Sequence, residues 1–468
     1  MPFGHDTYVS PFSWRYGSQP MRHIWSEENR RLLMRQVWVA LASAQKIAGL
    51  VTAEQLADLK SNVENLDIDR SLEIEREIHH DVMAELRTYA DQCPSGGPVL
   101  HLGATSADIT DNVDVLRMRE ALRLLIQRLS SLLAAFVDLI EETAGDPILA
   151  FTHIQPAEPT TLGYRLSIYA HDLLEDLIDL EQVKSRLRGK GFKGAVGTQA
   201  SYQALLEGTG MGPEEMERLA MNELKLPYYA ISTQVYPRRQ DLRLINALAA
   251  LASSIHKFGL DLRILQSPGF GEWSEPFGSK QVGSTAMPFK RNPVNAENIC
   301  SLARYVATLP SVAWSNASQN VLERTLDDSA NRRIVMAEAF LAVDELLLRT
   351  TRILEGLAFN RKSMAHNLAR YGPFAATERL LMALVREGAD RQDAHEWIRQ
   401  ASMAAWEALE TGDENPLVGL LANLPEINQF FDPEKVRALL SVEGYTGTAS
   451  QRARAFAQKL SQHLKGDE

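Results

Sequence analysis

The chain has 468 residues, of which 45% are hydrophobic, and carries a formal net charge of −11 at pH 7. An acidic chain is a poor partner for nucleic acid or for an anionic membrane surface. Its two cysteines supply neither a disulfide framework nor a zinc site, and no apolar run is long enough to span a bilayer. The first residues lack the pattern of a signal peptide, so we expect a cytoplasmic protein.

Residues 1–104 are predicted to form an N-terminal helical domain. Thr52 is followed three residues later by a glutamine, which is the pattern of a capping box at the start of a helix. Another helix is predicted over 73–90, with His79 and His80 inside it. Adjacent histidines point to different sides of a helix, so we do not expect them to bind a metal together.

Residues 105–359 are predicted to form a bundle of very long helices. Apolar side chains recur every three or four residues from Val115 to Ile140, from Leu166 to Leu187 and from Leu242 to Leu265. A helix of about 30 residues is about 45 Å long, and such a stripe needs apolar partners along its whole length. We therefore expect helices from several copies of the chain to share one core. Further helical stretches are predicted at about 294–313 and 319–357, and shorter helices form a C-terminal domain over 360–468.

The segment Gly283–Pro293 does not have the pattern of a packed helix or strand. Small and hydroxyl residues come first, and Lys290, Arg291 and Asn292 then lie between two prolines. This composition suits a mobile loop that closes over an anionic ligand. An ordinary surface loop is the alternative.

Four other polar segments lie at the ends of the long helices. Helix N-termini bind anions, a histidine in a loop can transfer protons near neutral pH, and paired arginines can clamp a phosphate or carboxylate. Each segment alone also has a structural explanation, as a helix cap, a hydrogen-bonded histidine, a flexible turn or a salt-bridged arginine. Together, without a metal, redox or phosphate-loop motif, they favour acid–base chemistry on a small polyanion. The segments are His101–Asp108, a loop predicted over Phe151–Pro159, Gly191–Ser201 and Glu323–Arg333.

These segments occur in the order known for one enzyme superfamily. Gly-Ser-Thr-Ala-Met-Pro-Phe-Lys-Arg-Asn-Pro, from Gly283 to Pro293, is similar to the signature loop of the fumarase/aspartase superfamily. The four other segments, together with Arg15-Tyr16 and His80-Asp81-Val82, resemble its remaining blocks. The resemblance spans nearly the whole chain, and within the superfamily the chain resembles the branch that acts on succinylated purine nucleotides.

The resemblance implies an all-α homotetramer with a shared long-helix core, flanked in each chain by two smaller helical domains. Each active site would be formed by three subunits, and the reaction would need no metal or other cofactor. Adenylosuccinate would be split into AMP and fumarate, and the succinylated aminoimidazole carboxamide ribotide into AICAR and fumarate.

The resemblance also implies roles for individual residues. Ser284 is the expected general base and His153 the expected general acid, while His80 orients His153 or contacts the phosphate. Lys290 is expected to stabilise the serine alkoxide. The expected ligands of the carboxylates are Lys290, Asn292, Thr105, Ser106 and Gln199. Those of the phosphate and ribose are Arg15, Tyr16, Arg324, Ser329 and Arg333, and Asp81 and Thr152 are further expected substrate contacts.

Three positions depart from the pattern of that branch. Thr285 replaces the second serine of the loop, Phe289 stands where Tyr or His is common, and Glu158 replaces a frequent Gln. The first hydroxyl is the base in the pattern, so the expected mechanism is unaffected, but the ranking of the two substrates is left open. Another fumarate-releasing lyase or cycloisomerase of the superfamily, and a catalytically silent helical scaffold, are the alternatives.

Overall fold

The chain is mostly helical in its computed structural model, which describes residues 6–466. Helices account for 66% and strands for 4%, which confirms the predicted helical class in its broad form. The prediction of no signal peptide rests on the first residues of the chain, which lie almost entirely outside the described residues. Among the described residues, no helix is both long and apolar enough to cross a membrane.

The N-terminal elements are helices of 6 to 21 residues, each of which begins at a side-chain cap. Ser26 and Thr52 each accept a backbone N–H of the first turn that follows, and Thr52 forms the predicted capping box with Gln55. The helices are α1 (Gln19–Ile24), α2 (Glu27–Ile47), α3 (Ala53–Ser61), α4 (Ile68–Ile78) and α5 (Asp81–Gln92), with 3-10 turns at Pro11–Ser13 and Gly97–Val99.

The prediction of one continuous helix over 73–90 is wrong, because the structure has two helices there. His79 adopts the left-handed conformation, with φ 54°, and ends α4. His80 is the N-cap of α5, where its Nδ1 accepts a hydrogen bond from the backbone N–H of Met83 at 3.3 Å. The two histidines therefore lie at a helix boundary, where loop-like backbone can present a side chain to a ligand.

The central elements include the predicted long helices. Leu122, Leu129 and Phe136 on the longest helix are fully buried, as the apolar periodicity predicts. The elements are α6 (Ser106–Thr143), β1 (Pro147–Thr152), β2 (Gln155–Thr161), α7 (Leu162–Ser185), α8 (Ala200–Leu205), α9 (Pro213–Glu223), α10 (Arg239–Gln266), β3 (Trp273–Ser274), α11 (Val294–Val306), α12 (Leu309–Ser318), α13 (Asp328–Glu355) and β4 (Ala358–Phe359).

Two central predictions need correction. The loop predicted over Phe151–Pro159 contains an antiparallel hairpin of β1 and β2, in which Thr152 pairs with Gln155. The helix predicted from residue 319 begins only at Asp328, after an irregular segment. A second two-stranded ladder joins β3 to β4, with Trp273 opposite Phe359.

Most helices of the last segment are shorter, as predicted, but its first helix has 26 residues and is longer than α7, which has 24. Asp432 accepts the backbone N–H of Lys435 and begins one of them. They are α14 (Arg361–Arg386), α15 (Arg391–Glu410), α16 (Leu417–Ala422), α17 (Pro425–Asn428), α18 (Pro433–Leu440) and α19 (Ala449–Lys465). α14 packs on the hairpin of β1 and β2 and on α15 and α18, around a core that includes Leu380, Leu384 and Leu417.

The described residues group into two compact units, each made of several chain segments. The first unit contains residues 6–129, 175–253 and 301–348, and the second contains 130–174, 254–300 and 349–466. The predicted domains are three consecutive ranges of the chain, whereas each compact unit combines separate ranges. The division into three domains therefore stays a prediction.

Candidate active site

The two ends of the signature loop in the second unit contact each other directly. We call this region of contact, between Gly283 and residues 290–292, the neck of the loop. The Nδ2 of Asn292 donates to the carbonyl oxygen of Gly283 at 3.0 Å. A Cβ at position 283 would lie 2.2 Å from the carbonyl oxygen of Lys290, so only glycine permits this approach. The Nε2 of Gln266 also donates to the carbonyl oxygen of Arg291 at 3.1 Å, which ties the neck to the end of α10.

Ser284 begins a tight turn inside this loop. Its Oγ accepts the backbone N–H of Met287 at 3.1 Å, and its side chain is half-buried. Phe289 and Lys290 are exposed farther along the loop. Hydrogen bonds to a charged oxygen are stronger than those to a neutral one, so the Met287 N–H favours the alkoxide of Ser284 over its hydroxyl.

A buried carboxylate that the sequence did not single out anchors the C-terminal side of the loop. Glu275 accepts the backbone N–H groups of Asn295 and Ala296 at the start of α11, at 3.1 and 2.9 Å. The Oε1 of Gln266 accepts the backbone N–H of Glu275 at 2.9 Å. Burial raises the pKa of Glu275, and the hydrogen bonds from α11 oppose that rise.

His153 lies at the tip of the β1–β2 hairpin, in the same unit as the loop. His153 and Ile154 form the two-residue turn and have φ values of 55° and 61°. Positive φ at both positions is the geometry of a type I′ turn, which usually contains Asn and Gly. An isoleucine there is strained, and its side chain is 63% exposed. Thr152 and His153 are exposed beside it.

In the first unit, Asp81 connects two arginines. Its Oδ2 accepts Arg30 at 2.7 Å and Arg333 at 2.8 Å. Burial alone would raise the pKa of Asp81, but the charges and hydrogen bonds of both guanidinium groups lower it to about 2. Asp81 therefore stays ionised and holds Arg333, whose side chain is 60% exposed. Arg30, on α2, was not predicted from the sequence.

His80 and Ser106 are neighbours in the first unit. The Nε2 of His80 lies 3.5 Å from the Oγ of Ser106 at the start of α6. The N–H of Thr105 donates to the Oδ2 of Asp108 at 3.1 Å, which caps that helix. The remaining N-terminal groups of α6 and its dipole favour an anion near Ser106.

Arg324 has an internal partner in this structure. Its guanidinium donates to the Oδ1 of Asp328 at 2.9 Å, while the Oδ2 of Asp328 accepts the buried Arg238 at 2.9 Å. A ligand phosphate would share Arg324 with Asp328. Ser329 is half-buried in the next position of α13.

Arg15, an expected ligand of the phosphate and ribose, is exposed near the N-terminus. Its guanidinium carbon lies 5.7 Å from the ring centre of Trp14 and 5.9 Å from that of Tyr16. The side chain is exposed, and contact with two rings restricts its positions.

The Gly-rich segment before α8 is held by buried charges. Lys193, in the segment Gly191–Ser201, is 4% exposed and forms an ion pair with Glu217. Gln199 is half-buried at the N-terminus of α8, with φ 58°. Among the residues that the structure describes, no group of three or more His, Cys, Asp or Glu side chains could hold a metal ion.

The predicted site residues are thus divided between the two units. Unit two contains one loop and one hairpin that carry Ser284, Lys290, Asn292, Thr152 and His153. Unit one contains Arg15, Tyr16, His80, Asp81, Thr105, Ser106, Gln199, Arg324, Ser329 and Arg333.

Comparison with known proteins identifies the family. Residues 13–307 match the family model described as Lyase, and residues 373–456 match the one described as Adenylosuccinate lyase C-terminus. The chain is 37% identical to adenylosuccinate lyase of Saccharomyces cerevisiae over 463 residues, which cover 97% of this chain and 95% of the yeast protein. The chain belongs to the adenylosuccinate lyase family. Adenylosuccinate lyase of Schistosoma mansoni is 39% identical over 423 residues, covering 89% of this chain and 88% of that protein.

Solved structures of other enzymes show the same fold. The 3-carboxy-cis,cis-muconate lactonizing enzyme of Pseudomonas putida superposes with a TM-score of 0.85 at 25% identity, over 96% of this chain and 99% of that one. Fumarate lyase from Mesorhizobium sp. BNC1 gives a TM-score of 0.83 at 23% identity, over 97% and 99% of the two chains. Membership of the adenylosuccinate lyase family accounts for the order of the sequence blocks and for the long helices between them.

Proposed function

We propose that this chain eliminates fumarate from adenylosuccinate, giving AMP, and from the succinylated aminoimidazole carboxamide ribotide, giving AICAR. The observation that carries the proposal is the match to the adenylosuccinate lyase family over nearly the full length. The intact signature loop and the histidine hairpin support it. No redox or group-transfer step is needed, because both products form by proton transfer and C–N cleavage.

Ser284 is the proposed base. It must remove a proton from a carbon next to a carboxylate, and an ordinary serine hydroxyl is too weak a base for that. The N–H of Met287 supports the alkoxide at 3.1 Å, and Lys290 is the cation proposed to assist when the loop closes on substrate. The half-buried position of Ser284 limits hydration of the oxygen, which would otherwise compete with the substrate.

His153 is the proposed acid for the departing nitrogen. It lies on a hairpin separate from the loop, so the acid can reach the leaving nitrogen while the base acts on the neighbouring carbon that loses its proton. The strained turn at His153 and Ile154 supports a functional role, because strain of this kind concentrates at active sites. Thr152, just before the turn, is proposed to contact the succinyl group.

The phosphate is proposed to bind where His80 and Arg333 lie in the first unit. Asp81 contributes by fixing Arg333, whose exposed guanidinium retains donors for a phosphate. Arg15, Tyr16, Arg324 and Ser329 are proposed to complete the phosphate and ribose site. Thr105, Ser106, Gln199, Lys290 and Asn292 are proposed at the succinyl end.

A homotetramer with active sites shared between subunits is part of the proposal. Large apolar side chains stand exposed on three of the long helices: Ile168 on α7 is 49% exposed, Leu260 on α10 is 38% exposed and Ile334 on α13 is 57% exposed. Exposed apolar side chains of this kind are typical of surfaces that bind other subunits, and they support the proposal that these helices pack against other copies of the chain. A cytoplasmic location is proposed with it, in keeping with two free cysteines, Cys93 and Cys300, both buried.

The experiment is a fumarate-release assay with both succinylated ribotides and purified protein. We expect fumarate and AMP or AICAR in equal amounts, without added metal or nucleotide cofactor. Argininosuccinate, aspartate and malate are comparison substrates in the same assay, because other superfamily members release fumarate from them. Carboxymuconate is compared by loss of the substrate, because its cycloisomerisation releases no fumarate. Turnover of one of these and of neither ribotide would reject the proposal in favour of another superfamily activity. No turnover of any of them would favour the silent scaffold.

A further inference from the structure

The side-chain amide of Gln199 is fixed in one orientation by two acceptors. Its Nε2 donates to the carbonyl oxygen of Phe192 at 3.1 Å and to the Oε2 of Glu217 at 3.1 Å. An amide NH₂ has two hydrogens, so both donors are used. A backbone carbonyl can only accept, and this decides that the nitrogen rather than the oxygen of Gln199 faces inward.

Both acceptors are themselves held firmly. Glu217 accepts the backbone N–H of Phe192 at 2.8 Å and the ammonium group of Lys193. Gly191 makes room for this carboxylate, because a Cβ there would lie 1.9 Å from its Oε1. The backbone N–H of Gln199 donates to the carbonyl oxygen of Lys193 at 3.0 Å, so the chain closes back on itself.

The same segment is joined to the start of α6. Asp108 is fully buried and accepts Lys190 at 2.5 Å and the backbone N–H groups of Lys193 and Gly194 at 3.1 Å each. It also accepts the N–H of Thr105 at 3.1 Å. One carboxylate thus sets the position of the loop that carries Gln199 relative to Thr105, which the proposed function places at the succinyl group.

We infer that Gln199 presents its Oε1 to the substrate and accepts a hydrogen bond from the N–H of the nitrogen that leaves with the purine or imidazole part. The inference rests on the proposed function and replaces the expectation that Gln199 binds a carboxylate. Glu217 is then a positioning residue that acts through Gln199.

The chemistry of the substrates favours the N–H, rather than a carboxylate, as the group that contacts the Oε1 of Gln199. An amide oxygen facing a carboxylate oxygen brings two acceptors together and is unfavourable. The one donor beside the succinyl carboxylates is the nitrogen that joins the succinyl group to the rest of the molecule. Both substrates have it. That nitrogen gains a proton as the bond breaks, so an acceptor there also suits the amino group of the product.

The test compares two ligands that differ only in that amino group. AMP carries it, and purine riboside 5′-monophosphate has a hydrogen in its place. We expect wild-type protein to bind AMP about fivefold to tenfold more tightly in calorimetric titrations, which is the effect of one hydrogen bond. Gln199→Met should remove most of this preference by weakening AMP binding alone. Binding of fumarate should be unchanged.

Two further variants make the test specific. Gln203→Met makes the same change at an exposed position of α8 and should keep the AMP preference. Gln199→Asn suits the left-handed backbone at this position but is one carbon shorter, and it should lose the preference as Gln199→Met does. Thermal melting of each variant confirms that it is folded.

Loss of fumarate affinity in Gln199→Met with an unchanged AMP preference would overturn the inference and return Gln199 to the carboxylates. An equal loss for AMP and purine riboside 5′-monophosphate would also overturn it. Failure of the proposed function can be told apart from failure of this inference, because wild-type protein would then release no fumarate from either ribotide. A wild type that releases fumarate but shows no preference for AMP rejects this inference alone.

Discussion

The side chain of Asn292 donates a hydrogen bond to the carbonyl oxygen of Gly283 at 3.0 Å and so closes the neck of the signature loop. Between these residues the loop turns back on itself and exposes Phe289 and Lys290. The expected substrate-binding amide therefore also has a structural role. A loop with a closed neck can move as a unit, which keeps Ser284 and Lys290 in a fixed relation during closure.

Removing the amide of Asn292 is expected to loosen the neck. In Asn292→Ala, trypsin should cleave after Lys290 and Arg291 about fivefold faster than in wild type, because a hydrogen bond of about 1 kcal/mol no longer closes the loop. Mass spectrometry of a digestion time course measures both sites. Cleavage after the exposed Lys280, outside the neck, is the internal reference and should not change. Equal rates at Lys290 in both proteins would contradict a closed neck.

A methyl group at position 283 is expected to force the neck apart. In Gly283→Ala the new Cβ would lie 2.2 Å from the carbonyl oxygen of Lys290, so one strand of the neck must move. We expect kcat to fall at least about tenfold, since small displacements of a catalytic group are costly. Gly278→Ala is the matched control, because its Cβ would be 3.7 Å from the nearest atom, and it should turn over normally. Normal kcat in both variants would show that the neck does not position Ser284.

The first hydroxyl of the loop, and not the second, is expected to be essential. Ser284 is half-buried and accepts the N–H of Met287, whereas Thr285 is exposed. Ser284→Ala should lower kcat by about 10²-fold to 10⁴-fold in the fumarate-release assay. Thr285→Ala should stay within about threefold of wild type, which is below 1 kcal/mol of activation free energy. The opposite ranking of the two variants would assign the base to Thr285.

The sequence predicted the helical elements best where local chemistry decides them. Thr52 begins a helix as predicted, and Ser26 and Asp432 begin helices in the same way, because each cap depends on a side chain within three residues. The buried stripe of α6 follows from its periodicity alone. The break at His79 and His80 could not be predicted in this way, because neither Gly nor Pro marks it and a histidine rarely caps a helix.

Residues whose roles depend on tertiary contacts were the ones that the sequence missed. Lys193 lies in a glycine-rich segment whose composition is typical of an exposed turn. In the structure it is buried against Glu217, a partner 24 residues away in sequence. Arg30 and Glu275 likewise act through residues distant in sequence. The turn at His153 and Ile154 lacks the Asn-Gly signal of its turn type, so the hairpin was predicted as a loop.

The ion pairs of Asp81 are expected to make stability depend on pH in the acidic range. The folded-state pKa of Asp81 is lowered from 3.8 to about 2, so its contribution is present above pH 3.8 and is lost as the pH falls through about 2. That shift corresponds to about 2 kcal/mol of unfolding free energy near neutral pH. Asp81→Asn should lose this amount at about pH 7, and the difference from wild type should shrink steadily below about pH 4.

Urea denaturation of both proteins across this pH range measures the difference. Asp91→Asn changes an exposed carboxylate at the other end of α5 and should follow wild type within about 0.5 kcal/mol at every pH. Asp81→Asn should also raise KM for both ribotides, because Arg333 loses the partner that holds it, and the exposed arginine then samples other positions. A destabilisation that stays constant down to about pH 2 would mean that the carboxylate charge of Asp81 is not its source.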